Sequence, residues 1–507
     1  MKTMSMKNIH HIFKTLLFSA FLILFVGCKD KKEENFTPEV SLSQTSFDFS
    51  HEGGSMLLSA STNTELELQG PEADWYSISS GEGSESKQEF TITTLANTSA
   101  NSREAKLTLL GRDYARDLWL RQEGTSLSYK PEEALAVAHT LGMGWNLGNQ
   151  LDAHANGTAN ETIWGNQAAT QATFDKLAEA GFASVRIPVT WLGKVGPAPD
   201  YAIDSDWLNR VAELVDYAEH AGLNAIINIH HDGADSKYWL NIKDAATNPQ
   251  VNQAVKEQLA AMWTQIAGKF KDKGDFLIFE SMNEIHDGGW GYGANLNDNG
   301  KQYATLNQWN QVFVDAVRAT GGNNSERYLG IPGYVTSPQL TIDHLVLPSD
   351  PATNRLLVSV HYYDPHLYTL EDQFQQWGHS AAADKKADYG DEAHVQEIFG
   401  KLKTKFIDKG IPVYIGEMGS VHRSTVAAEA FRKYYLEYIC KAARTYGMAP
   451  FYWDNGSSAA GRESSGIINH ATGEFLNNGA DIAAIMVTAI TNDDPAYTLE
   501  AVYHKAP

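Results

Sequence analysis

The 507-residue sequence predicts an α/β protein, a closed (β/α)₈ barrel (TIM barrel) preceded by a small all-β, immunoglobulin-like sandwich. Three observations carry this. Closely spaced runs of period two fill residues 39–125, eight short apolar runs alternate with amphipathic stretches across residues 130–507, and no glycine-rich phosphate fingerprint follows the first of those eight. The last point argues against a doubly wound open sheet. With 43% hydrophobic residues, the chain has material for one large core and a second, smaller module. A formal charge of -22 without any cluster of Lys and Arg argues against a nucleic-acid partner.

Residues 1–28 read as a targeting segment. Lys2, Lys7 and Lys14 form a basic start, and the apolar run 16–26 is too short to span a bilayer comfortably. The run ends in Phe25-Val26-Gly27-Cys28, which resembles the lipobox of bacterial lipoproteins, with Phe25 as the departure from that pattern. Cys28 is then the lipidation site and residues 29–38 a charged tether. The expected location is the cell envelope, on the outer membrane and facing outward. A cleaved signal peptide with Cys28 left free is the alternative. Cys440 is the other cysteine, set in a helical stretch that favours burial, so the mature chain has no pair for an internal disulfide.

Residues 39–125 contain the runs VSLSQTSFDFS, SMLLSAS, TELELQG, WYSIS, QEFTITTL, REAKLTLLG and DLWLRQE, separated by Gly, Ser and Asn clusters. The simplest packing is an antiparallel β-sandwich. The surroundings of Trp75, the segment from Asn97 to Arg103 and the closing WLRQEG resemble the BACON modules of exported polysaccharide-degrading proteins. That resemblance implies carbohydrate binding or, more simply, a spacer between membrane and enzyme. Trp75 and Trp119 lie in alternating strand contexts and are expected in the core.

The barrel strands are expected at 142–147, 184–188, 224–229, 276–279, 328–331, 357–361, 413–415 and 450–453. Helices fall on TFDKLAEAG, DWLNRVAELVDYAEHAG and VNQAVKEQLAAMWTQIAGKF, two of which end in Gly at the expected cap. Polar residues gather at the C-terminal ends of these strands, where barrel enzymes place their sites. Arg186 follows the second, His230 and His231 the third, Asn283 and Glu284 the fourth, His361 and Tyr363 the sixth, Glu417 the seventh and Trp453 the eighth. Cleavage of a glycosidic bond needs one carboxylic acid to protonate the departing oxygen and one carboxylate to meet the oxocarbenium ion. Glu284 and Glu417 follow the apolar runs FLIFESM and PVYIG, so both belong in the barrel mouth.

The motifs FESMNE, YIGEMGS, VRIP, NIHHD and VHYYDP resemble glycoside hydrolase family 5, and GWNLGNQLDA with ETIWGNQ resembles its subfamily 4, apart from Gln167 where a proline is expected. The resemblance covers the barrel from about residue 132 onward and implies a retaining endo-β-1,4-glucanase acting on xyloglucan, mixed-linkage glucan or cellulose. It makes Glu284 the general acid and base, Glu417 the nucleophile and Asn283 the partner of the sugar 2-hydroxyl. Arg186 is then expected beside Glu417, keeping it ionised, while burial and that neighbouring charge keep Glu284 protonated. Tyr363 would orient the nucleophile and His361 would bond sugar or carboxylate. His230 and His231 would contact the sugar on the non-leaving side, Asn149 and Asp152 would lie further along the cleft, and Trp453 would be its stacking platform. No cofactor or metal is implied, the partner is a polysaccharide, and the chain is expected to be a monomer.

Three other readings remain open at this level. His230, His231, Asp232 and His361 could be metal ligands, although adjacent histidines on a strand point to opposite faces. A β-mannanase or a catalytically silent glycan-binding lipoprotein would keep much of the pattern. Trp239, Trp290, Trp377 and Tyr362 lie in cleft loops, as stacking platforms or as lids on the core.

Mass spectrometry of the mature N-terminal peptide is expected to show acylation at Cys28. An unmodified terminus at another residue would overturn the lipoprotein reading and leave export standing.

Overall fold

The computed structural model describes residues 36–507 except 82, 85, 98–101 and 125–129. The signal segment with Cys28, most of the tether and part of the Asn97 to Arg103 segment lie outside the described residues.

The N-terminal module has eight strands, β1 Val40–Leu42, β2 Ser46–Phe49, β3 Gly54–Thr62, β4 Leu66–Gln69, β5 Tyr76–Ser80, β6 Lys87–Thr94, β7 Arg103–Gly111 and β8 Tyr114–Gln122. They form two four-stranded sheets, in the orders β1-β3-β6-β5 and β2-β8-β7-β4. Alternation drives the packing: Phe47, Phe49, Leu58, Phe90, Ile92, Leu107, Leu109, Leu118 and Leu120 form one buried cluster drawn from both sheets. The expectation of a purely antiparallel sandwich needs correction. The first run splits across residues 43–45, β1 joining one sheet and β2 the other, and β2 pairs with β8 in parallel. Trp119 is a second correction. Leu118 and Leu120 occupy the inward positions of β8, which turns Trp119 outward with 40% of its surface exposed. Trp75 is half-buried on this core, with the Arg103 guanidinium 4.6 Å above its ring.

The eight barrel strands are β9 Gly144–Leu147, β12 Ser184–Ile187, β13 Asn224–Asn228, β14 Leu277–Glu280, β15 Leu329–Pro332, β16 Leu356–Tyr362, β17 Val413–Met418 and β18 Ala449–Asp454, with a hairpin of β10 His154–Ala155 and β11 Thr158–Ala159 between the first two. All eight stand where the sequence pattern puts them, and they close in the order β12-β13-β14-β15-β16-β17-β18-β9. The three expected helices form at Gln171–Glu179, Ser205–His220 and Pro249–Lys269. Asp204 and Asn248 cap the latter two through their side chains, and Gly181 and Gly222 leave the first two with φ of 92° and 74°.

Outward residues such as Val185, Ile227, Phe279, Val358, Val360 and Ile415 pack under the helices in the main core. Inward, Ile226, Ile278, Leu357, Tyr414 and Phe451 form a separate cluster that Leu141, at the end of helix Pro131–Leu141, completes. Cys440 is fully buried, its Sγ 3.8 Å from the Met143 sulfur, and burial pushes its thiol pKa up.

Candidate active site

The period of two that sends aliphatic side chains outward sends polar ones inward in the upper barrel. Asn146 on β9, Arg186 on β12, Asn228 on β13, Glu280 on β14, Ser359 and His361 on β16 and Glu417 on β17 are all buried. Buried polar groups require partners, and these supply one another.

Arg186 is the hub, and its side chain has no exposed surface. A guanidinium has five N–H groups, and five hydrogen bonds are made. Nε donates to Glu280 Oε2 at 3.0 Å and Nη2 to Glu280 Oε1 at 2.7 Å, a bidentate pair. Nη2 also donates to Asn283 Oδ1 at 2.8 Å, while Nη1 donates to Asn146 Oδ1 at 3.0 Å and to Glu417 Oε1 at 2.8 Å. Burial opposes the charge on Arg186, but Glu280 and Glu417 outweigh it and raise its pKa. Glu280 in turn accepts from the Tyr414 hydroxyl at 2.6 Å and from Asn228 Nδ2 at 3.2 Å. Burial raises its pKa, yet Arg186 prevails and the net shift is downward.

Glu417 reaches this hub through an irregularity. Pairing between β16 and β17 runs from Val360 with Ile415 to His361 with Glu417, leaving Gly416 unpaired in a β-bulge. The Gly416 carbonyl accepts from Asn146 Nδ2 at 2.8 Å. Oε2 of Glu417 accepts from the Tyr363 hydroxyl at 3.2 Å. Glu284 lies just beyond β14 with φ of 28°, a left-handed conformation of the kind that concentrates at functional sites. His361 Nδ1 stands between the two carboxylates, 2.7 Å from Glu284 Oε1 and 3.6 Å from Glu417 Oε2. Ligand-type atoms of these three side chains lie within 4.8 Å of one another.

The electrostatics depart from the expected order. Burial raises the Glu284 pKa, but the hydrogen bond and charge of His361 outweigh it and lower the net value. Burial raises Glu417, with help from the Glu284 charge and against His361 and Arg186, and the net shift is upward. The expectation was an ionised Glu417 beside a protonated Glu284. The departure has one source: His361 is nearer Glu284, and it lowers that pKa when its Nδ1 carries the hydrogen. Two carboxylates this close resist double ionisation, so the proton's place turns on which ring nitrogen of His361 carries hydrogen.

Around this centre, Trp453 is half-buried and its ring lies nearly parallel to that of His230, 5.9 Å away at 9°. His230 is buried against Asn228, while His231 is partly exposed. The premise that these histidines diverge is overturned, because β13 ends at Asn228 and their rings stand 4.4 Å apart. Asp152 is fully buried and accepts from the backbone N–H groups of Asn149 and Gln150, so it meets the cleft only through His231, 3.8 Å away. Asn149 is half-buried at the turn after β9, with φ of 55°. Asp232 is also buried, accepting from Trp191 N and Trp239 Nε1. Asp152, His230 and His231 also bring ligand-type atoms within 4.8 Å, but protein donors already engage Asp152 and His230, as they do Glu417 in the other triad. Of the loop aromatics, Trp377 and Tyr362 are core, and Trp239 is half-buried on Asp232. Trp290 is 57% exposed, its ring tilted at 35° against that of His286. Trp164 and Tyr292 are exposed rings that the sequence reading did not single out, and Trp164 lies 5.6 Å from His231. The same reading gave no role to Asn146, Asn228, Glu280 or Tyr414. A signal existed, since Asn228 precedes His230 by one strand period and Glu280 lies four residues before Glu284.

A family model described as cellulase (glycosyl hydrolase family 5) matches residues 149–459, and the BACON family matches residues 65–111. The chain is 31% identical over 517 residues to the xyloglucan-specific endo-β-1,4-glucanase of Bacteroides ovatus, covering 93% of this chain and 96% of that protein. It is 38% identical over 340 residues to endoglucanase A of Paenibacillus barcinonensis, covering 64% of this chain and 82% of that one. Among solved structures, a GH5-4 broad specificity endoglucanase from Bacteroides salanitronis superposes with a TM-score of 0.70 at 64% identity, covering 72% of this chain and 96% of that chain.

Replacing Glu280 by alanine leaves two of the buried Arg186 N–H groups and the Tyr414 hydroxyl without their acceptor. The expected loss is about 3–5 kcal/mol of unfolding free energy, read from urea denaturation. A loss under about 1 kcal/mol would mean that Glu280 does not anchor Arg186.

Proposed function

The chain belongs to glycosyl hydrolase family 5, and on that premise we propose that it cleaves the backbone of β-1,4-glucans, xyloglucan among them, by double displacement with Glu417 as nucleophile and Glu284 as acid and base. The observation that carries this is the pair of carboxylates held within 4.8 Å about His361, one of them anchored on Arg186. That spacing suits covalent attack and leaves no room for a water beneath the sugar, which inverting enzymes need.

Glu417 attacks the anomeric carbon while the bond to the leaving oxygen breaks, and Glu284 gives that oxygen its proton. The glycosyl ester is then hydrolysed by a water that Glu284, now a carboxylate, deprotonates, and the second inversion restores the β configuration. Arg186 and the Tyr363 hydroxyl hold the two oxygens of Glu417 so that one lone pair faces the sugar. Asn283 has its carbonyl oxygen tied to Arg186, which turns its amide N–H groups toward the sugar 2-hydroxyl. Trp453 offers its face to the sugar on the non-leaving side, with His231 and Trp164 further out.

The substrate range follows from the family and from the names of the relatives. The enzyme is a monomer tethered by lipid at Cys28 to the outer membrane, facing outward, which suits a polymer too large to enter a cell. The sandwich is a spacer in this reading. Among the exposed large apolar residues of its described part, Trp119 is the single ring beside Leu57 and Leu95, too little for a row of stacking platforms.

Glu284→Gln is expected to abolish hydrolysis of xyloglucan and barley-type β-glucan while sparing most activity on aryl glycosides with acidic leaving groups. Equal losses on both would remove Glu284 from the acid role. A mechanism-based fluorosugar should label Glu417, and NMR of the first product should show the β anomer. An α anomer at early times would overturn the double displacement.

A further inference from the structure

The ring of His361 has a second nitrogen, and its surroundings are unusual. Nε2 is buried with no hydrogen-bond partner among the described residues, and so is the hydroxyl of Ser359, one strand period earlier on the inward face of β16. Both look at the same spot. A Cβ on the bulged Gly416 would stand 3.2 Å from His361 Nε2 and 3.2 Å from Ser359 Oγ, so the missing side chain leaves a notch lined by both polar atoms. Buried polar atoms of this kind are joined in native proteins, directly or by an internal water.

On its other side Ser359 pairs with Tyr414 across the strands, and its hydroxyl approaches the Tyr414 phenol outside good hydrogen-bond geometry. The Tyr414 hydroxyl donates to Glu280. Glu280, ionised against Arg186, only accepts, so the Tyr414 proton is committed to it and the phenol oxygen can only accept in turn. A Ser359 hydroxyl turned toward that oxygen must bring the proton itself. Its remaining capacity is to accept, from the direction of His361 Nε2.

We propose that Ser359 is a positioning residue for the acid/base: bridged across the Gly416 notch by one water, it draws the ring proton of His361 to Nε2 and leaves Nδ1 as an acceptor. The order Nε2–H to water to Ser359 to Tyr414 to Glu280 runs head to tail, the arrangement in which each bond polarises the next. Facing an acceptor Nδ1 2.7 Å away, Glu284 must itself be the donor, hence a carboxylic acid, as a general acid requires. The buried Glu280 carboxylate, remote from substrate, thereby fixes the resting protonation of Glu284. The charged and titratable groups around His361 are Glu284 beyond β14, Glu280 on β14, Glu417 on β17, Arg186 on β12 and His230 beyond β13.

The kinetic arm of the test rests on the acid/base assignment above, whereas the spectroscopic arm needs no substrate. In the full-length enzyme with ¹⁵N-labelled histidine rings, His361 assigned by comparison with His361→Gln, Nε2 is expected to give the pyrrole-type shift and Nδ1 the pyridine-type shift near neutral pH. Pyrrole-type Nδ1 in the wild type overturns the proposal. Ser359→Ala should shift the two signals toward the other tautomer and move the alkaline limb of kcat/KM on β-glucan to lower pH by about one unit, with aryl glycosides of acidic leaving groups unaffected. Ser359→Thr should restore both, and Tyr414→Phe, which breaks the next link, should act like Ser359→Ala. Unchanged ring shifts and an unchanged limb in Ser359→Ala overturn the role of Ser359 even if Glu284 proves to be the acid.

Discussion

The buried charge of Arg186 is the constraint on which the centre of this barrel depends. A guanidinium without solvent must be matched in charge and in every donor, and here its five N–H groups are met by four side chains from β9, β14, β17 and the loop after β14. The match ties four strands to one plane. It also overshoots in charge, because Glu280 and Glu417 bring two negative charges to one positive, and Glu284 brings a third nearby. Three carboxylates around one cation resist full ionisation, and His361 stands between two of them. Acid/base chemistry here is a by-product of how a barrel interior neutralises one cation.

Architecture was legible in the sequence where periodicity and burial say the same thing. All eight barrel strands are there because runs such as SVRIP and VYIG are aliphatic on one face and end in polar residues, and because capped, amphipathic helices separate them. Glu284, Glu417, Arg186, Asn283, His361 and Tyr363 were legible as one polar cluster because they lie at or just beyond the ends of such strands. The lower tier was not: Asn146, Asn228, Glu280 and Tyr414 sit inside apolar contexts, where a single polar residue reads as noise until pairing shows it opposite another. Asp152 shows the reverse failure, since an acidic loop residue beside the cleft looks like a substrate ligand until its backbone partners are seen. The order of the two carboxyl pKa values was illegible in principle, because it depends on a few tenths of an ångström around one imidazole.

Surface and loop aromatics divide by the same physics. Trp377 and Tyr362 are buried in the core, Trp377 against Tyr434 and Tyr435 and Tyr362 against Phe399. Trp119 was expelled because two leucines flank it at inward positions. Trp164 and Trp290 stay exposed, each leaning on a histidine, so that they are held without being covered. Rings kept in place yet open to solvent are what a cleft for a polymer with apolar sugar faces requires.

Gly416 carries a lesson about length. Along β17, Tyr414 faces the barrel interior and Ile415 the helices, so strict alternation would send residue 416 inward and residue 417 out into the aliphatic layer. The extra residue resets the parity of the strand and brings Glu417 inward to Arg186. The inward placement of Glu417 is thus set by a count of residues. Substitutions along this strand can be tolerated by repacking, but a one-residue deletion between Val413 and Gly416 would exchange inside for outside at Glu417. Spacing along this strand is therefore under a tighter physical constraint than residue identity.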